Sequence, residues 1–182
     1  MKMLVHRTPA PSGFPFNLDT VKEHVRLDGF ENDEEITNMA RAAAAELEQF
    51  AQIALLTQSI RVTVFDPMPE PGLLLPIGPV LGDDLPTVLI DGTAFTGFDF
   101  VPGNRPYLRW YGQYHSLLPR RLVIEYQAGF GASAADVPDD LAHALMDQTA
   151  LYFDGRSPMA AKSLTTSPHM ARIGAKYRGV QT

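Results

Sequence analysis

The sequence predicts a mixed α+β fold, in which a small bundle of three main helices is interrupted by an antiparallel β-rich insertion. Two changes of pattern predict it. Apolar residues recur at helical spacing up to Thr57 and then alternate with a period of two. At Pro138, which suits the first turn of a helix, the helical spacing returns. The expected elements are helices at about 18–28, 33–55 and 138–154 and a β-rich insertion at about 58–127.

The composition restricts the class of protein before any motif is considered. A length of 182 residues fits one domain with appendages. The absence of cysteine excludes disulfides, thiolate metal sites and cysteine nucleophiles. No stretch approaches the ~20 apolar residues of a membrane span, and the N-terminus lacks the apolar core of a secretory signal. We therefore expect a soluble protein that is made in a cytoplasm and has no membrane partner.

The first 16 residues are predicted to form an extended N-terminal arm. They contain three prolines and a glycine within residues 9–15, so we expect this arm to be mobile unless a neighbouring chain holds it. Asn17 is a suitable N-cap for the first helix. Apolar residues then recur at helical spacing as far as the pair Asp28 and Gly29, where we expect the helix to end.

The second helix is predicted to be long and rich in alanine. Three acidic residues in its first turn, starting at Asp33, suit the positive end of the helix dipole. Its apolar residues step by four and three alternately, which gives a narrow seam of small side chains. We expect Ala43 and Leu47 to be buried in this seam. Glu46 is expected on the opposite, exposed side, so that reversing its charge costs little stability.

The β-rich insertion begins with strict alternation. Ile60, Val62 and Val64 alternate with polar residues, as in a strand that is buried on one face. Three prolines between Asp66 and Gly72 predict a loop, and Asp91-Gly92 is a strong hairpin signal. Further strands are expected at 87–90, 95–101, 107–111 and 122–126.

Charged residues are distributed unevenly along the chain. All 21 acidic residues lie between Asp19 and Asp154, whereas residues 156–182 carry five basic residues and no acidic one. This basic C-terminal tail has few apolar residues and two Ser-Pro pairs. We therefore expect it to be mobile in the free subunit, so that removal of 170–182 leaves folding unchanged. Such a tail suits contact with an acidic surface or with nucleic acid.

A search for catalytic, metal and cofactor sites finds none. The five histidines show no metal-ligand spacing such as HExxH, and the adjacent aspartates at 139–140 suit a helix N-terminus better than an acid/base pair. The glycine-rich segment 129–131 lacks the Lys-Ser/Thr of a phosphate loop. The aromatic and basic residues of 105–111 leave two interpretations open, stacking on bases or packing of a strand against its sheet. No catalytic residue, metal or cofactor is therefore predicted.

Five short patterns occur in a distinctive order. They are LDTVKEHVRLD at 18–28, an alanine-rich helix that runs into ALLTQSIRVTVFD, LPIGPV at 75–80, IEYQAGFG at 124–131 and VPDDLAHAL at 137–145. In this order and spacing they resemble the head–tail connector (adaptor) proteins of tailed phages and of gene transfer agents. These are small ring-forming proteins that bind below the portal. The resemblance covers residues 17–155, which it identifies as a connector domain.

The resemblance implies a structural protein of the virion neck and not an enzyme. A connector joins the portal to the stopper or tail, forms a ring commonly of twelve copies and lines the channel for DNA. Its expected partners are therefore the portal, the stopper or tail protein, further copies of itself and passing DNA, which it contacts without sequence specificity. Assembly is expected in the cytoplasm of a bacterial host.

The resemblance also suggests a partner for the basic tail. A cluster of aromatic and cationic side chains is typical of the residues that dominate binding interfaces. The predicted portal-binding residues are Arg172, Ile173, Lys176, Tyr177 and Arg178. Binding of packaged DNA by the same cations is the competing interpretation. For the whole protein, the alternatives are another neck or tail-completion (stopper) protein, and a small enzyme or ligand-binding domain.

Overall fold

A computed structural model describes residues 1–9, 13–82, 84–155 and 166–178. The chain divides into two compact units. The first, here called the sheet unit, consists of Met1–Pro11 and Thr57–Phe130. The second, the helical unit, consists of Ser12–Leu56 and Gly131–Thr182. The helices and antiparallel sheets of these units confirm the predicted mixed α+β class, whereas the described residues contain more helices than the three main ones expected.

The elements of the described residues follow one another from an N-terminal strand to a C-terminal helix. In chain order they are β1 (Lys2–Thr8), α1 (Leu18–His24), α2 (Asp33–Ala51), β2 (Gln58–Phe65), β3 (Gly72–Leu74), β4 (Thr87–Ile90), β5 (Thr93–Ala94), β6 (Phe98–Val101), β7 (Tyr107–Trp110), α3 (Gly112–Leu117), β8 (Arg121–Ala128), α4 (Asp139–Gly155) and α5 (Pro168–Arg178). A 3₁₀ turn at Ala134–Asp136 precedes α4. No helix in the described part of the chain is long and apolar enough to cross a membrane.

The first two helices begin where the sequence predicts and end earlier. The side chain of Asn17 caps α1, accepting hydrogen bonds from the backbone N–H groups of the first turn. The helix stops before Arg26, which has a left-handed φ of 58°. In α2, Gln52 adopts a left-handed φ of 56°, and the Glu48 carboxylate accepts the Leu55 N–H at 2.7 Å. These caps take up backbone groups that a longer helix would have paired internally.

The interior of α2 agrees with the predicted seam. Ala40, Ala43 and Leu47 are fully buried. Within the helical unit, α2 packs against α1, α4 and α5. The small side chains of α2 allow these three helices to approach it closely. The alanine residues therefore serve packing inside the helical unit.

The prediction of a mobile tail is wrong over α5, which is an ordered helix packed within this unit. Met170 and Ile173 are buried, and Gly174 lies so close to Phe50 that an added Cβ would be 2.4 Å from its ring. The few apolar residues suffice because they share one face of the helix. The remaining tail residues, 156–165 and 179–182, lie outside the described part.

The sheet unit contains two antiparallel sheets. Its five-stranded sheet has the order β1-β2-β8-β4-β5, and a three-stranded sheet has the order β3-β7-β6. The alternation along β2 is confirmed by its burial pattern, and the Asp91-Gly92 hairpin is confirmed by positive φ values at both residues. Four strands near the predicted positions are present, whereas the short helix α3 within the insertion was not predicted.

The expected free N-terminal arm is instead the edge strand β1. All seven of its residues pair with β2, from Lys2 opposite Phe65 to Thr8 opposite Ser59. Most side chains of β1 remain exposed, so the sequence lacks the apolar alternation that marks a strand. Backbone pairing with β2, which is remote in sequence, decides the conformation here.

Aromatic side chains form part of the core of the sheet unit. Trp110 is buried and stacks on Tyr114 of α3, with ring centroids 4.4 Å apart and planes inclined by 12°. Phe95 and Phe98 lie against the same indole ring at 6.4 and 6.3 Å. Of the two interpretations of residues 105–111, packing of the strand is therefore the one that the structure supports.

Candidate interaction surfaces

The predicted tail residues are divided between the interior and the surface of the helical unit. Ile173 is buried, whereas Arg172 and Arg178 are exposed. Lys176 Nζ and the Tyr177 hydroxyl donate hydrogen bonds to the two carboxylate oxygens of Asp140, at 2.8 and 2.9 Å. Three of the five predicted residues, Ile173, Lys176 and Tyr177, thus hold α5 to its own unit. The side chains of Arg172 and Arg178 are exposed.

Asp140 is the residue that sequence reasoning missed in this group. Partial burial alone would raise the pKa of Asp140, but the hydrogen bonds from Lys176 and Tyr177 outweigh it and lower that pKa. Burial and the adjacent carboxylate raise the pKa of Tyr177 to about 12. The sequence placed Asp140 at a helix N-terminus, where it lies, but it carried no signal that α5 would bind there.

Glu46 lies at a second polar contact, and its predicted exposure is wrong. The carboxylate of this half-buried residue accepts hydrogen bonds from Tyr152 and Gln148 of α4 and from Thr166, at 3.2 Å for Gln148 Nε2 and 2.9 Å for Thr166 Oγ1. Gln148 is itself buried and accepts the Ser167 N–H at 2.7 Å. The segment leading into α5 therefore covers the face of α2 that looked exposed.

Two motifs of the connector resemblance contact each other in the sheet unit. The Tyr126 hydroxyl, from IEYQAGFG, is hydrogen-bonded to both backbone groups of Ile77 in LPIGPV. The Gly129 N–H donates to the Pro79 carbonyl at 2.9 Å. A side chain at Gly78 would collide with the Asn104 carbonyl oxygen, 2.1 Å from an ideal Cβ. These patterns therefore specify the packing of one loop against β8.

Charge differs between the two units. The sheet unit contains seven basic and seven acidic residues and is formally neutral. The helical unit contains eight basic and 14 acidic residues and has a formal charge of −6. The acidic surplus of the protein therefore belongs to the helical unit.

The sheet unit exposes apolar side chains and an open strand edge. Leu118 is 82% exposed in a left-handed conformation, and Leu81 and Leu85 are also largely exposed. A groove of about 310 Å³ is lined by residues 66–69 and 114–120 with gaps. One edge of β1 has no partner within the described residues of the chain. Exposed apolar groups and free strand edges are common at protein–protein contacts.

Three of the five histidines converge in the helical unit. His24, His143 and His169 surround the carboxylate of Asp147. They are separated by up to 145 residues in sequence, so no local spacing could have predicted the cluster.

Comparison with known proteins gives matches among solved structures alone. No family model matches the chain, and no curated protein matches it. A chain in the neck of an empty gene transfer agent (GTA) particle, computed with C6 symmetry, matches with a TM-score of 0.76 and 28% identity. Chains in the virion of a native GTA particle and in a native GTA neck computed with C12 symmetry match with TM-scores of 0.74 and 0.73 and identities of 26% and 25%. Each match covers 98% of this chain and 97% of the other.

The predicted class, a structural protein of the virion neck, is confirmed by these matches. The resemblance to head–tail connector (adaptor) proteins of phages and gene transfer agents is confirmed as well. The matches extend beyond residues 17–155 and include nearly the whole chain.

Proposed function

We propose that the protein is a head–tail connector (adaptor) that joins the portal to the stopper or tail. The observation that carries this proposal is the match along 98% of the chain to a chain of a GTA neck. Structures of such necks computed with C6 and C12 symmetry support assembly into a ring, for which we propose twelve copies. The role is structural, without catalysis.

The sheet unit offers suitable groups for contacts between subunits. A closed ring needs a heterologous interface, in which one face of a subunit meets a different face of the next. β1 is the edge strand of the five-stranded sheet and offers its backbone to a further strand, and the exposed Leu117 and Leu118 provide an apolar projection beside the groove. We assign these features to the contacts between neighbouring subunits.

The helical unit offers a surface for the portal. We assign portal contact to the exposed side of α5, which carries Arg172 and Arg178. The net negative charge of the helical unit suits a channel through which DNA slides, because like charge disfavours adhesion to phosphate. DNA passes without sequence-specific contacts.

The proposal is tested by mixing the purified chain with portal rings and measuring mass by light scattering and sedimentation. Twelve chains per portal ring are expected. Arg172→Glu should weaken portal binding, whereas Arg109→Glu, an exposed arginine of the sheet unit outside the groove, should not. Leu117→Asp with Leu118→Asp should prevent ring closure, whereas Gln113→Asp in the same helix should not.

Different results would favour the alternatives. A chain that does not bind isolated portal rings but binds to a completed portal–connector assembly would be a stopper or tail-completion protein. A small fixed oligomer that binds neither the portal ring nor the portal–connector assembly would contradict any role in the neck. It would favour an enzyme or ligand-binding domain. Loss of salt-sensitive DNA binding in Arg172→Glu, with portal binding intact, would assign α5 to nucleic acid.

A further inference from the structure

The helical unit brings four potential metal-ligating side chains together from three helices. His24 is the last residue of α1, and His169 lies in the first turn of α5. His143 and Asp147 are four residues apart on α4 and therefore share one face of that helix. The donor atoms of His24, His143 and Asp147 all lie within 4.8 Å of one another.

Three donor atoms of this cluster form a compact triangle. His143 Nδ1 is 3.3 Å from His169 Nδ1, and both face Asp147 Oδ2, at 3.5 and 2.7 Å. His24 Nε2 approaches the other carboxylate oxygen, Asp147 Oδ1, at 3.0 Å. Two imidazole nitrogens that point at each other and at one carboxylate oxygen compete for the same protons, whereas one cation would satisfy all of their lone pairs.

The dimensions of the triangle fit a coordination shell. Metal–nitrogen bonds of about 2.0–2.1 Å at tetrahedral angles place neighbouring ligand atoms about 3.3–3.4 Å apart. Two edges of the triangle are close to that value, and the third opens to it when the His169–Asp147 hydrogen bond gives way to coordination. The side chains of His24, His169 and Asp147 are 26–28% exposed, so an ion can enter from solvent.

We propose that His143, His169 and Asp147 bind one divalent transition-metal ion, with Zn²⁺ as the representative, and that His24 orients Asp147 from its other carboxylate oxygen. Imidazole and carboxylate donors suit Zn²⁺, and two histidines make the set poorly suited to Mg²⁺ or Ca²⁺, which prefer oxygen. The three ligands belong to α4 and α5. Bound metal therefore fixes α5 against α4, the arrangement that presents Arg172 at the surface.

The test uses the tag-free full-length chain, stripped with a chelator and titrated with ZnCl₂. After desalting, metal analysis is expected to find about one zinc per chain. At a free zinc concentration about 100-fold above Kd, the melting temperature should rise by about 5–10 °C. MgCl₂ should leave it unchanged. The replacement of Zn²⁺ by Co²⁺ should give the visible absorption of a tetrahedral site.

Matched variants locate the site. His143→Ala is expected to remove zinc retention and the thermal shift, and to remain folded because the His143 side chain is 55% exposed. His115→Ala, an exposed histidine of the sheet unit, should retain both. Less than about one-tenth of a zinc per chain in the unsubstituted protein, or equal zinc binding by both variants, would overturn the proposal. In that event the cluster is a hydrogen-bonded contact between helices.

Discussion

The Tyr126 hydroxyl donates a hydrogen bond to the Ile77 carbonyl at 3.0 Å and accepts one from the Ile77 N–H at 3.2 Å. Both residues are buried, so one side chain on β8 satisfies both backbone groups of a loop residue that has no place in a sheet ladder. Burial also raises the pKa of Tyr126 well above its usual range, which keeps the hydroxyl protonated. LPIGPV and IEYQAGFG are therefore adjacent in the sheet unit because one motif completes the hydrogen bonds of the other.

Tyr126→Phe should destabilise the protein by about 1–3 kcal/mol, because it leaves a buried N–H and a buried carbonyl without partners. Urea unfolding measures the loss. Tyr111→Phe is the control, since that side chain is half exposed and should change stability by less than about 0.5 kcal/mol. Equal effects of the two substitutions would mean that water replaces the Tyr126 hydroxyl without cost.

Three substitutions in α2 should reduce the stability of the protein by clearly different amounts. Leu47→Asp places an unpaired charge at a fully buried site and should abolish folding. Glu46→Lys breaks the contacts with Tyr152, Gln148 and Thr166 and should cost about 2 kcal/mol. Gln49→Lys, which is exposed on the same helix, should be nearly neutral. Thermal melts provide the ranking, and a neutral Glu46→Lys would show that the segment into α5 does not cover this face.

Removal of residues 170–182 should now lower the melting temperature, contrary to the expectation for a mobile tail. The truncation exposes the surface that Met170 and Ile173 bury and leaves Asp140 without Lys176 and Tyr177. Calorimetry of the truncated and full-length chains measures the difference, and removal of 179–182 alone is the control. An unchanged melting temperature would instead support the prediction that the tail is mobile.

The contact between Tyr177 and Asp140 should make stability depend on alkaline pH. Because folding raises the pKa of Tyr177 to about 12, its contribution is fully present below the unfolded pKa near 10 and is lost as the pH rises through about 12. The unsubstituted protein should therefore lose more stability between about pH 10 and pH 12 than Tyr177→Phe does. Urea midpoints at each pH test this, and Tyr111→Phe should behave like the unsubstituted protein.

Local features of the chain were predictable because near neighbours determine them. The alternation of β2, the Asp91-Gly92 hairpin, the Asn17 cap and the bounds of β4 all follow from side-chain period and backbone sterics within a few residues. The burial of Leu47 follows from the same periodicity. The order of the five short patterns was also sufficient to indicate the connector family.

What only the tertiary structure decided depends on contacts between residues far apart in the sequence. β1 is a strand because β2 pairs with it, and α5 is ordered because a few apolar residues meet α2 and α4 on one face. Glu46 is covered by a segment about 120 residues away, and His169 reaches Asp147 only after α5 has docked. Periodicity records which face of an element is apolar. It does not record which other element of the chain covers that face. The polar contacts of this protein depend on that covering element.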